Sequence, residues 1–81
     1  MSTYETRHRS TATFLVYSGL VLTNVKHLGA KSVMFEFSDP HGEAEQLERD
    51  FWNDGQVTSA KALLEADREV RTEMWNAEHE G

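Results

Sequence analysis

The stretch that decides the fold runs from Ser32 to Leu64, SVMFEFSDPHGEAEQLERDFWNDGQVTSAKALL. Val33, Phe35 and Phe37 alternate with Met34, Glu36 and Ser38, which is the two-residue period of a strand. Asp39-Pro40 stops it. Asp is a favoured helix N-cap, and a proline at the first helical position gives up an N–H that would have found no partner there. Glu43 and Glu45 suit the positive end of the helix dipole. Ala44, Leu47 and Phe51 then recur at helical spacing, which predicts a short helix facing the sheet, with Trp52 at the edge of its stripe. Asn53-Asp54-Gly55 predicts the turn that ends it.

Downstream, Ala60, Leu63, Leu64, Val70, Met74 and Ala77 repeat at intervals of three, four and seven, so the chain from Thr58 predicts a long amphipathic helix. Thr58 is its expected cap, and Val57 is half of a hydrophobic staple. Glu65 with Glu69, and Asp67 with Arg71, are expected on outward faces, the second pair being a favourable i, i+4 match. The tail, residues 78–81, is expected to fray.

Upstream, Val21 to Leu28 and Ser32 to Ser38 predict two strands joined near Gly29-Ala30. Side-chain parity sets the loop. A two-residue loop would oppose polar and apolar side chains, whereas a three-residue loop from Gly29 to Lys31 pairs His27 with Val33, Val25 with Phe35, and Thr23 with Phe37. Thr11 to Ser18 is ambiguous. Ser10 offers a helix cap and Gly19 a left-handed stop, but Thr11, Thr13 and Val16 are β-branched and Thr11-Ala12-Thr13-Phe14 alternates as a strand would. Residues 1–10 lack apolar periodicity and are expected to form a flexible arm.

Eighty-one residues hold one core, here expected to span residues 11–77, and there is no cysteine to staple it. Self-association is the remaining way to add buried area. Net charge is −6 and unevenly spread. Arg7, Arg9, Lys26 and Lys31 face Glu5 alone in residues 1–31, and the other thirteen acids lie beyond with four bases. Such an acidic chain is repelled by phosphate, so nucleic acid is the less favoured partner. The apolar run from Phe14 to Leu22 is too short to span a bilayer, so a soluble, cytoplasmic protein is expected.

Three stretches together resemble a known family. They are Thr13 to Gly19, Val33-Met34-Phe35-Glu36-Phe37-Ser38-Asp39-Pro40, and Phe51-Trp52-Asn53-Asp54-Gly55 followed by Val57 to Arg71. Their order and spacing are similar to small domains of bacteria and their phages, catalogued as domain of unknown function 5659. The family pattern has a Phe-x-Phe strand, an acidic helix ending in an aromatic-Trp-Asn-Gly-like turn, and a long last helix. The resemblance implies a helix over Thr11 to Ser18 and an origin in a phage or mobile element, hence a host-cell cytoplasm. It supplies no catalytic residues. This chain departs from the pattern at Asp54, ahead of the turn glycine, and in its strongly acidic final helix. The expected architecture is then α+β, in the order helix, β-hairpin, helix, long helix (αββαα), with the helices on one face of a two-stranded antiparallel sheet.

Chemistry is sparse. Asp39, His41, Glu43 and Glu45 gather within seven residues, but the spacing fits no zinc or EF-hand pattern and describes a solvated helix start. His27 lies on the apolar face as a structural residue, and Ser32 nearby lacks a third group to complete a nucleophilic site. The glycines sit singly, so no phosphate-cradling loop is expected. No catalytic residue, metal or cofactor is expected. Trp75 falls off the last helix's apolar stripe, towards Arg71 and Arg68, and aromatic and arginine side chains anchor interfaces. The sequence therefore predicts a small, acidic, non-enzymatic protein-interaction module that binds a host protein or itself as a homodimer. Its candidate contacts are Trp75, Arg68, Arg71, Glu65, Glu69 and Trp52. A protein that occupies a partner's DNA site by mimicking phosphate is a variant of this. The alternative is nucleic-acid binding through Arg7, His8, Arg9, Lys26 and Lys31.

Overall fold

The computed structural model describes residues 2–29, 32–54 and 59–79. Its elements are β1 (Thr3–Thr6), α1 (Arg9–Tyr17), β2 (Val21–His27), β3 (Val33–Ser38), α2 (Ala44–Asp54) and α3 (Ala60–His79). The class is α+β, but the sheet has three strands rather than two, in the order β1-β3-β2. Both neighbours of β3 run antiparallel to it, so β1–α1–β2 is a crossover between parallel strands with β3 inserted between them.

The third strand comes from the segment expected to be a loose arm. Thr3, Tyr4, Glu5 and Thr6 pair with Ser38, Phe37, Glu36 and Phe35, and the Asp39 N–H extends the ladder to the Ser2 carbonyl at 3.0 Å. The physical reason is that a lone hairpin is only marginally stable, and β3 is too apolar to serve as an edge. Tyr4 and Thr6 share the face of Phe37 and Phe35. The Tyr4 hydroxyl donates to Glu48 Oε1, and Thr6 Oγ1 lies 3.4 Å from Glu48 Oε2, which ties β1 to α2.

This tie has a pH signature. Burial, then the hydrogen bond to Glu48 and its negative charge, with Glu45 and Asp39 adding less, push the Tyr4 phenol from 10.0 up to about 12. The folded state therefore favours the neutral phenol. Its contribution is complete below pH 10, the unfolded value, and is lost as pH rises through about 12. In tyrosine-Cζ-labelled protein, Tyr4 should titrate well above 10, and Glu48→Gln should lower it. Titration near 10 in the folded wild type would contradict the contact.

The hairpin follows the parity argument over most of its length. His27 faces Val33, Val25 faces Phe35, and the Leu28 N–H donates to the Ser32 carbonyl at 2.8 Å. Ala30 and Lys31, and with them the loop itself, lie outside the described residues. The expected Thr23–Phe37 pair is replaced by a bulge: Asn24 faces Glu36, yet Leu22 faces Phe37, so Thr23 is the extra residue. Its hydroxyl donates to the Glu36 carbonyl at 3.0 Å. Leu22 and Val25 are three residues apart and would point to opposite faces of a regular strand. The bulge restores both to the core side.

Thr11 to Tyr17 is helical, with the N-cap at His8 rather than Ser10 and no side-chain cap bond. The helix ends in a Schellman motif, with Gly19 N–H to Val16 O and Leu20 N–H to Leu15 O, both at 3.0 Å. Gly19 takes the φ of +101° that this requires. Asp39 does cap α2, from further back than expected. Gly42, at φ +67°, breaks the helical run, so Pro40 sits in a turn and the helix starts at Ala44. The buried Asp39 carboxylate accepts from the Glu43 and Ala44 amides at 2.8 and 3.3 Å. At the far end α2 continues through Asn53 and Asp54, where a turn was expected; Gly55, Val57 and Thr58 lie outside the described residues.

Ala12, Leu15, Val25, Phe35, Phe37, Ala44 and Val70 form the core between one face of the sheet and the three helices. Phe51 packs on Phe14 of α1, ring centroids 4.9 Å apart, instead of on the sheet. Along α3 the inward stripe is Leu63, Ala66, Val70, Met74 and Ala77. Leu64, expected inside, is 68% exposed, because it lies about a third of a turn round the helix from Val70. The helix runs to His79, and residues 80 and 81 of the expected tail lie outside the described residues.

Candidate functional site

The inward stripe leaves the rest of α3's circumference to carry any contact surface. Leu64, Arg68, Arg71 and Trp75 follow one another at spacings of four, three and four, so they form one line along a helix. All four are exposed, Trp75 at 59%. Arg68, Arg71, Thr72 and Trp75 surround an open hollow of about 350 Å³. The structure thus brings together three residues that the sequence singled out, Trp75, Arg68 and Arg71. Glu65 and Glu69 are exposed on the same helix without lining the hollow.

Asp67 anchors this line to the rest of the fold. It was expected on an outward face, but it is half-buried and turned towards α1. Its Oδ2 accepts from Arg71 Nε at 3.1 Å, while Oδ1 lies 3.7 Å from Arg9 Nε and 3.4 Å from Thr13 Oγ1. A carboxylate held on both sides fixes the Arg71 stem, though exposed pairs of this kind are each worth only about 0.2–1 kcal/mol. Beside it Phe51, Leu63 and Leu64, with Arg9, Thr13 and Asp67, line a mostly apolar cleft of about 270 Å³. Leu64 is therefore a site residue that the sequence reading placed in the core. Its signal was the four–three–four spacing onto Arg68, Arg71 and Trp75.

Trp52 belongs elsewhere. Its Nε1 donates to Thr11 Oγ1 at 3.1 Å and its ring meets His8 edge-on at 6.0 Å, although the side chain is 59% exposed. It lines neither space described above.

Two of the basic residues proposed for phosphate contact face acidic side chains. Arg9 turns to Asp67, and Lys26 Nζ lies 4.0 Å from Glu36 Oε2 on the uncovered face of the sheet. Arg7 follows β1, and Lys31 lies outside the described residues. His27 is exposed, with Nε2 3.4 Å from the Met74 carbonyl, and so is not enclosed by the apolar face. Among the described residues, no three His, Asp or Glu side chains converge as metal ligands, and no helix is long and apolar enough to cross a membrane.

These features define a two-layer α+β protein whose longest helix is shared between the core and an exposed arginine–tryptophan face. No protein-family model, curated protein or solved structure matches the chain, so the family resemblance rests on the quoted residues alone.

Proposed function

We propose that the protein is a non-enzymatic protein-interaction module and that the outer face of α3 is its contact surface. One observation carries this reading: two large apolar side chains, Leu64 and Trp75, are left exposed at the ends of a line whose middle is Arg68 and Arg71. Trp and Arg are the residues most enriched among interface hot spots, and anchoring side chains cluster in this way. The resemblance to small phage-borne domains is the ground for placing the module among phage or mobile-element accessories that act on a host protein in the host cytoplasm. Nucleic-acid binding is less favoured, since Arg9 and Lys26 are each drawn to an acidic side chain.

The test is affinity capture from host lysate with tagged wild-type protein and Trp75→Ala, washed at low and then high salt. The wild type should retain a stoichiometric protein through the salt wash. The variant should bind it roughly tenfold more weakly, the loss of a modest hot spot, with an unchanged circular dichroism spectrum. Loss of fold in step with loss of binding would remove the reading. So would nucleic acid as the retained species.

A further inference from the structure

We propose that the outer face of α3 takes an acidic helical segment of another protein, about three turns long, with apolar side chains at its ends and carboxylates between them. The inference rests on the interaction-module reading and adds the chemistry of the partner.

The spacing supplies the shape. Residues at four–three–four intervals form the seam by which one helix packs along another, and an amphipathic helix in a groove is recognised through such anchors. From Leu64 to Trp75 the line rises roughly 16 Å, so the complementary segment needs about twelve residues. The order four, three, four is the same in both directions. One partner pattern therefore follows for parallel and antiparallel docking: apolar, acidic, acidic, apolar at those intervals.

Charge supplies the identity. A second copy of this chain would place arginine opposite arginine at both inner positions in either orientation, and like charges facing each other oppose pairing. Asp67 meets Arg71 through Nε, and a guanidinium carries four more N–H groups on its Nη atoms, suited to a carboxylate fork. Among the described residues, Arg68 forms none of the ion pairs. A phosphate backbone would bring negative charge along the whole helix, past the exposed Glu65, Glu69 and Glu73, whereas a helical segment can confine its carboxylates to the two arginines. Leu64 and Trp75 at the ends then flank the ion pairs with apolar contacts.

The experiment uses the full chain, isotope-labelled for NMR, and a synthetic helical peptide with Leu at the outer and Glu at the inner positions of this spacing. Two control peptides carry Gln or Lys in place of both Glu. The Glu peptide should shift the Trp75 indole and the Arg68 and Arg71 signals and saturate below about 1 mM. The Gln peptide should bind about three- to tenfold more weakly, the loss of two exposed charge pairs. Arg68→Glu, checked for fold by circular dichroism, should bring the Glu and Lys peptides to similar affinity, because one inner position then attracts each peptide and the other repels it. The proposal is overturned if the Glu and Gln peptides bind alike, if neither binds by about 1 mM, or if the shifts fall away from this face. Tighter binding of a single-stranded oligonucleotide at the same signals would also overturn it, as would shifts that grow with protein concentration alone. Should the peptide fail while lysate capture still depends on Trp75, the interaction module stands and only the acidic-helix partner falls.

Discussion

Removing residues 1–6 should cost the protein a large part of its stability, although these residues look dispensable in the sequence. Deletion would expose the β1-facing edge of β3 and strip Phe37 and Phe35 of Tyr4 and Thr6, the side chains beside them on the core face. It would also take away both partners that β1 offers Glu48. What remains is a two-stranded hairpin, which is marginal in water, and its apolar strand β3 would become a template for aggregation. Each lost intramolecular hydrogen bond contributes about 0.5–1.5 kcal/mol net, and burial of Tyr4 and Thr6 adds to that. Part of the loss returns as chain entropy, leaving a cost of at least about 3 kcal/mol against a total of roughly 4–12 kcal/mol for a chain of this size. Urea titration followed by circular dichroism measures it. A truncated protein with the wild-type midpoint would mean that the segment is a free arm after all.

That segment also shows where the sequence stopped being legible. Thr3, Tyr4 and Thr6 favour strands, and Tyr4 and Thr6 alternate with Thr3 and Glu5, but four residues without a flanking turn carry too little period to stand out. Their strand state is decided by β3, thirty residues away. Phe35 and Phe37 were visible as a buried strand because their alternation is local, and the hairpin register was visible because parity is local as well. The bulge at Thr23 was not, since it exists to bring Leu22 back over a core that only the fold assembles. The same limit applies on α3. Its helical period was plain, but Leu64 and Leu63 are adjacent, and periodicity could not choose which of them faces inward. Contact with α1, through Thr13 and Arg9 to Asp67, selects the Leu63 side and leaves Leu64 with the arginines. The candidate contact face was thus half-legible: Trp75, Arg68 and Arg71 from the sequence, and Leu64 only once the rotation of the helix was known.

The rotation of α3 also separates the two kinds of mutation that test this fold. Phe37→Ala should be the most damaging single substitution of a core side chain here. Phe37 is fully buried in the central strand, between Tyr4 on β1 and Leu22 on β2. Truncating a buried phenylalanine costs about 3–5 kcal/mol, the transfer term plus the cavity it leaves. Collapse around the gap is restricted because β3 is hydrogen-bonded on both sides and cannot shift alone. With a urea slope of about 1 kcal/mol per molar, the midpoint should fall by roughly 3 M or more, a large share of the total stability of roughly 4–12 kcal/mol. Trp75→Ala removes a larger side chain, yet it should cost less than about 1 kcal/mol, since Trp75 is already 59% exposed. Comparing the two variants therefore reads the core and the contact face independently. If Phe37→Ala lowered the midpoint no further than Trp75→Ala does, Phe37 would not lie in the packed interior, and the three-stranded sheet built around it would be wrong.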